Sequence, residues 1–351
     1  MRLKRFFAVA LCSAVSMVAQ AAQPAQSVDF SHKDWDLVCD NTLTCRAAGY
    51  SPDETPGGTG STVLLIREAG PSTPVTNRVM LADTEDAENQ KQTVPVLLLN
   101  GKSQGNLQPA VDGSWQMSAP QYAAFLNALR HDQTIGFRNS QRTFIFSGEG
   151  ATAALLKMDD VQGRVGTPGA LIKKGNLAES SVKAAIPAPQ VEQAAVLDND
   201  DRPMNKAEIA RYKPVLMPLI LALKQDGESV CSEEVVGSMG WWITRLDEQH
   251  TLINTTCWQA AYNMGDVYYV VSQDAAPQLV TYSGTGYEKG VVSSSSAGRG
   301  IADCVSSADW TWDGQHFVQT KVTNTGRCAY IRLGGTWDLP TLIRKVIAPA
   351  P

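Results

Sequence analysis

Alternation of apolar and polar positions dominates this chain, and helical spacing is confined to a few short stretches. Trp35, Leu37 and Cys39 alternate, as one face of a strand requires, and Asp40-Asn41 turns the chain into a second strand ending near Tyr50. Further strands are predicted at 63–67, 77–82 and 94–99, the last ended by Asn100-Gly101, the strongest hairpin-turn dipeptide. Trp115 and Met117 alternate on another. Ser118 then reads as an N-cap, with Pro120 in the first turn and Tyr122, Phe125, Leu126 and Leu129 at helical spacing. Strands return at 134–137 and 142–146, and Gly148 and Gly150 lead into a short helix at 151–158. The polar stretch 84–92 fits a loop or a short exposed helix.

A run rich in Ala, Gln, Pro and Asp at 176–203 has little periodicity and reads as an extended, partly stiff linker between an N-terminal domain (22–175) and a C-terminal one (204–351). Asn205 caps an expected helix that Pro214 and Pro218 should kink or split. Beyond it the pattern is strand-like at 241–246, 251–258, 267–272, 279–282, 310–312, 316–322 and 328–333. The serine-rich 293–300 reads as a flexible loop. The fold class is therefore mainly β, a β-rich α+β chain of antiparallel strands with a few short helices. The 28 glycines and 18 prolines agree with a turn-rich β fold rather than a helical bundle.

The C-terminal domain contains one pattern twice. Cys231, Trp241-Trp242, Asp247-Glu248-Gln249-His250, Cys257 and Tyr262 form the first copy. Cys304, Trp310, Asp313-Gly314-Gln315-His316, Cys328 and Tyr330 form the second. Each copy predicts a hairpin with D-x-Q-H at its turn and a cysteine on either side.

Residues 1–21 read as a removable leader. Arg2, Lys4 and Arg5 precede an apolar run too short to span a bilayer comfortably, and Ala19-Gln20-Ala21 is a small-x-small cleavage site. Leu11 before Cys12 argues against lipid attachment there. Loss of the leader takes the formal charge from −5 to about −8, which disfavours nucleic acid or an anionic membrane surface as partner. No later apolar stretch reaches membrane length. Six cysteines remain, an even number, and in an exported chain they read as disulfides. Of about 15 possible pairings, order and local pattern favour Cys39–Cys45, Cys231–Cys257 and Cys304–Cys328. The short first loop is worth about 2 kcal/mol and the longer two about 3–4 kcal/mol each. With no C-x-x-C, redox chemistry is disfavoured.

Asp34-Trp35, Cys39, Cys45, Phe144, Ser147-Gly148 and Ala154-Leu155 together resemble secreted bacterial invasion-associated locus B proteins. With the cysteine-rich half and Gly334-Gly335-Thr336-Trp337-Asp338-Leu339-Pro340-Thr341, the whole chain is similar to a secreted proteobacterial family known only as a domain of unknown function. The resemblance implies export, to the periplasm of a Gram-negative cell or beyond, and a β-rich fold. It implies no activity, no cofactor and no catalytic residues.

Candidate chemistry is sparse. His250 and His316, with Asp247 and Asp313, could form a polar or zinc site, but the spacing is not HExxH and no third ligand is apparent. Turn chemistry accounts for the same residues more simply. Trp242 and Trp312 are candidate platforms for a glycan or peptide, set against core packing beside disulfides. No G-x-S-x-G, Walker or dinucleotide fingerprint occurs, and Asp159-Asp160 and Asn199-Asp200-Asp201 read as solvated acidic clusters without the alternating spacing and distal Glu of a calcium loop. The expected role is non-catalytic binding of an envelope protein or glycan through a disulfide-stiffened surface. The competing expectation is an envelope hydrolase built on the His/Asp groups.

Overall fold

Trp35, Leu37, Ala47, Val63, Leu65 and Val79 alternate with partners on the opposite face, and both sets are buried. Each strand that carries them therefore lies in the interior of a layered body. The structure is a computed structural model, described here for residues 27–55, 58–82, 93–110, 112–139 and 142–349. The expected leader and the whole 84–92 stretch lie outside the described residues.

The N-terminal half is built on an antiparallel meander: Val28–His32, Trp35–Cys39, Cys45–Tyr50, Ser61–Arg67 and Val75–Leu81, continued by Trp115–Gln116 and Gln108–Pro109. A second sheet orders Thr143–Phe146, Ile135–Arg138, Val96–Leu99 and Lys102–Asn106. Its hairpin turns at Asn100-Gly101 with both residues at positive φ (49° and 73°), as a type I′ turn requires. Helices α1 (Ala119–Arg130) and α2 (Ala151–Val161) join both sheets around one core. The motif residues of this half meet there. Trp35 Nε1 donates to Ser147 O at 3.1 Å, and its ring meets Phe146 edge-on at 5.9 Å. Gly150 caps α2 at φ 94°, where a Cβ would lie 2.1 Å from His32 O, so no other residue fits.

The outer face of the same meander is covered by the end of the chain. Ile331, Trp337 and Leu339 pack on Val38, Ala48, Tyr50, Leu64 and Met80. Arg327 forms a bidentate pair with Asp36 (2.8 and 2.9 Å). Asn41 exchanges two hydrogen bonds with the Ile343 backbone (2.7 and 3.0 Å). Burial on both faces explains why 63–66 reads as an unbroken apolar run.

The C-terminal half is a second meander. One five-stranded sheet orders Arg202–Pro203, Trp241–Arg245, His250–Gln259, Met264–Ser272 and Gln278–Gly284. The other orders Gly286–Glu288, Val291–Ala297, Val305–Trp312, Phe317–Asn324 and Leu339–Ile343. Leu246, Leu252, Tyr268, Val270, Tyr287, Val292 and Trp312 form the core between them. Helix α3 (Lys206–Leu221) covers the far side of the first sheet, against Trp241, Ile243 and Ile253.

Three expectations change. Helix α3 is continuous through Pro214 and Pro218. Both prolines are exposed, as are Ala210 and Pro214 four residues earlier, so water can reach the carbonyls left without a donor. The 293–300 segment lies mostly in a strand, Val291–Ala297, whose ladder is imposed by Val305–Trp312 beside it. Residues 328–333 form no strand; they bend across the N-terminal sheet instead. Parts of the 176–203 segment pack on the rest of the chain. Gln190–Glu192 pairs in parallel with Lys345–Ile347, and Ala194 and Val196 pack on the C-terminal core.

The α3 cap is independent of these tertiary contacts. Asn205 Oδ1 accepts from the Ala207 and Glu208 amides, and Glu208 returns a bond to the Asn205 amide while paired with Arg202. Asn205→Ala is expected to lower stability by about 1 kcal/mol in urea unfolding.

Candidate binding surface

The duplicated pattern folds as two hairpins of the same local design. In each, the aspartate Oδ1 accepts from the two backbone amides that follow: Gln249 (2.8 Å) and His250 (2.7 Å) for Asp247, Gln315 (2.8 Å) and His316 (2.7 Å) for Asp313. D-x-Q-H is thus an Asx-type turn that closes the hairpin tip. The cysteines clamp the region about the base. The structure joins Cys231 to Cys257 and Cys304 to Cys328, and Cys39 to Cys45 in the N-terminal half.

The two tips do not assemble one polar site. His250 Nδ1 lies 2.9 Å from Asp247, and its ring packs at 5.2 Å on Trp312. Burial disfavours the charged Asp247, but the Gln249 amide and His250 outweigh it and hold the carboxyl below its usual range. His316 is exposed at the other tip. Among the described residues no hydrogen bond or ion pair joins the tips. The group of potential metal ligands closest together there is Asp303, Cys304 and Cys328, whose two sulfurs are bonded to each other.

Trp312 is not a surface platform. It is fully buried between the sheets, where Phe317 tilts against it at 5.3 Å. A tryptophan ending the strand before a hairpin tip fills the sandwich core from within. Trp242 is half-buried, opposite Asn254 in the first sheet. Two shallow grooves border the first sheet, of about 410 Å³ beside Arg211 and Tyr212 and about 490 Å³ beside Trp258 and Tyr282. Neither includes a D-x-Q-H residue.

What the pattern leaves outside is its last member in each copy. Tyr262 and Tyr330 are 54% and 57% exposed, and both flank the 298–300 turn beside the Cys304–Cys328 bridge. Tyr262 Oη reaches Gly298 O at 3.4 Å, and the Arg299 guanidinium lies 3.5 Å over the Tyr330 ring. Arg299 also forms a bidentate pair with the buried Asp303, which accepts from the Tyr330 amide. Burial opposes the Asp303 charge, but those donors hold its carboxyl below the ordinary range. Ile301 and Leu333, 46% and 73% exposed, come from the same two segments. The result is an apolar and aromatic surface on a turn fixed by a disulfide and an ion pair. The signal for it was present only as the tyrosines closing each repeat, since their exposure depends on the turn that brings them together.

The sequence profile of a family described as protein of unknown function (DUF1176) matches residues 29–344. The chain belongs to the DUF1176 family. Within DUF1176 lies the span of both meanders and the returning C-terminal segment. An uncharacterised Escherichia coli K12 protein, YpfG, is 27% identical over 336 residues, covering 88% of this chain and 90% of its own length. No solved structure matches. Among the described residues no helix is long and apolar enough to cross a membrane.

Proposed function

We propose that this DUF1176 chain is an exported envelope protein that binds a protein partner without catalysis, through the surface around Tyr262, Arg299, Tyr330 and Leu333. The observation that carries this reading is the pair of half-exposed tyrosines held on a turn that cannot easily move. Tyrosine and arginine anchors with apolar neighbours are the residue types that dominate protein interfaces. A fixed turn loses little conformational freedom when a partner arrives. Export rests on the leader-like residues 1–21 and on three disulfides, which persist in oxidising compartments. The likeness of the N-terminal half to invasion-associated locus B proteins belongs to the same reading. It is supported by the way Trp35, Ser147, Phe146 and the Cys39–Cys45 bridge pack as one unit.

The test is a photo-crosslinker at Leu333, with a second at Leu177 on the N-terminal half as control, in cells exporting the full chain. One discrete protein adduct is expected at Leu333 and not at Leu177. The double variant Tyr262→Ala, Tyr330→Ala should reduce it by about tenfold or more, since each anchor is worth about 1–2 kcal/mol, while urea stability stays within about 0.5 kcal/mol. Equal labelling at both positions, or labelling indifferent to the tyrosines, contradicts the proposal. A glycan adduct would contradict the choice of a protein partner.

A further inference from the structure

The three disulfides are not equally placed. Cys39 and Cys45 face each other on paired strands and are 1% and 0% exposed. Cys231 and Cys257 are 4% and 0% exposed, and Cys257 lies within the His250–Gln259 strand. Neither pair is open to a thiol in water while its sheet stays folded. Cys304 is also buried, at 5%, but its partner Cys328 is exposed. Cys328 belongs to the 325–338 stretch, which forms neither helix nor strand.

This bridge lies against the chain it fixes. A Cβ added at Gly298 would fall 2.6 Å from Cys304 Sγ and 3.0 Å from Cys328 Sγ, so both sulfurs rest on the backbone where the 298–300 turn begins. The Gly298 amide donates to Cys304 O at 2.9 Å, and its carbonyl is the one that Tyr262 reaches. The next residue, Arg299, lies over Tyr330. Apart from the sulfur bond, the two segments are joined by the Tyr330 amide on Asp303 and by the Gly334 amide on Ala302 O at 2.8 Å. Water can replace hydrogen bonds of this kind at small net cost. It cannot replace a covalent link.

We propose that Cys304–Cys328 is a redox switch on the tyrosine surface, opened by a dithiol reductant and closed by oxidation. The regulatory part rests on the binding surface proposed above; the exchange chemistry stands apart from it. A thiolate of the reductant attacks Cys328 Sγ. The Cys304–Cys328 bond breaks, a mixed disulfide forms at Cys328, and Cys304 leaves as a thiolate that takes a proton from water. The second thiol of the reductant loses its proton and attacks the reductant's own sulfur in the mixed disulfide. Cys328 is released and protonated in turn. Two electrons have then passed from the dithiol, which ends as a disulfide, to the bridge, which ends as two thiols. Exchange depends on access to the attacked sulfur, and this sets the bridge apart from the two buried ones. A C-x-x-C motif is not required, because the chain is the substrate of exchange and not its agent. Opening the bridge frees the 298–303 and 328–333 segments from each other, and Tyr262 and Tyr330 lose the fixed turn beside them.

The test starts from the oxidised full mature chain in native buffer with graded dithiothreitol. Thiols are trapped with iodoacetamide and located by peptide mass spectrometry. Cys304 and Cys328 should be labelled roughly tenfold faster or more than the other four cysteines, given the difference in access. In the selectively reduced chain, amide exchange should rise in 298–303 and stay unchanged in Trp35–Cys39 and Cys45–Tyr50. The double variant Cys304→Ser, Cys328→Ser should show the same exchange pattern and lose the Leu333 adduct in cells. Equal labelling of all three pairs, or labelling only once the chain unfolds, would overturn the switch. So would unchanged exchange in 298–303 after the bridge opens, or a Leu333 adduct as strong in the double variant as in the parent. Selective reduction that loosens the turn, with no Leu333 adduct even in the oxidised parent, would support the switch and contradict the binding surface instead.

Discussion

Trp337→Ala is expected to lower the unfolding free energy by about 3–5 kcal/mol, the usual cost of emptying a buried tryptophan site. Trp337 is 7% exposed although it comes from the C-terminal end and sits on the N-terminal sheet. Its Nε1 donates to Thr62 Oγ1 at 3.0 Å, so the substitution also leaves that hydroxyl without its donor. Around it, Val38, Tyr50, Leu64 and Met80 pack beneath Ile331, Leu339, Trp337 and the half-buried Ala329. The loss should therefore appear as faster amide exchange in Trp35–Cys39, Cys45–Tyr50 and Ser61–Arg67, together with a lower urea midpoint. A change below about 0.5 kcal/mol, with exchange in those strands untouched, would mean that the chain end does not hold the two halves together.

Asp159→Ala should cost a similar amount, about 3–5 kcal/mol, for an electrostatic reason. Asp159 is fully buried at the end of α2. Its Oδ2 accepts from the Leu171 and Ile172 amides at 2.7 and 3.0 Å, and Oδ1 faces Arg67 at 3.8 Å. Alanine would strand two buried amides and leave Arg67 uncompensated. Burial is the largest influence on this carboxyl, and the two amides and Arg67 offset only part of it, so its pKa is raised. A raised carboxyl pKa means that the unfolded chain releases the proton first. The charge itself therefore subtracts stability as pH rises past the ordinary carboxylate range. What Asp159 contributes is its pair of acceptor positions. Asp159→Asn, which keeps one acceptor and drops the charge, should cost clearly less than Asp159→Ala in urea unfolding at neutral pH. Equal costs for the two would contradict this assignment.

Asp159 also shows where the sequence stops being legible. Asp159 and Asp160 are adjacent and chemically identical, yet the helix turns by about 100° between them. Asp160 faces water and pairs with Lys157, while Asp159 enters the core. Nothing in the doublet distinguishes the two until the packing partner of α2 is known. Where a local rule decides the outcome, the sequence was readable: Asn100-Gly101 makes a hairpin, Ser118 and Asn205 precede helices, and D-x-Q-H closes two turns. Where long-range packing decides, it was not. The serines at 293–296 join a ladder that their neighbours dictate, and 328–333 exchanges a strand for a bend because Ile331 must reach the other half.

The same division runs through the candidate site. The tryptophans and histidines drew attention for their chemistry, and Trp312 proved to be core and His250 a turn residue packed on it. Tyr262 and Tyr330 carried no motif beyond closing each repeat, and each comes to the 298–300 turn only because the chain beside the Cys304–Cys328 bridge folds there.

The proposed export and the disulfides stand behind the proposed binding surface, and the intact mass of the protein recovered from the cell envelope tests them together. The expected species begins at Ala22, weighs six hydrogens less than its reduced form, and takes up no thiol reagent when denatured without reductant. A chain that still carries residues 1–21, or one whose six mature cysteines all react, would contradict the proposed compartment and the clamped turn on which the tyrosines stand.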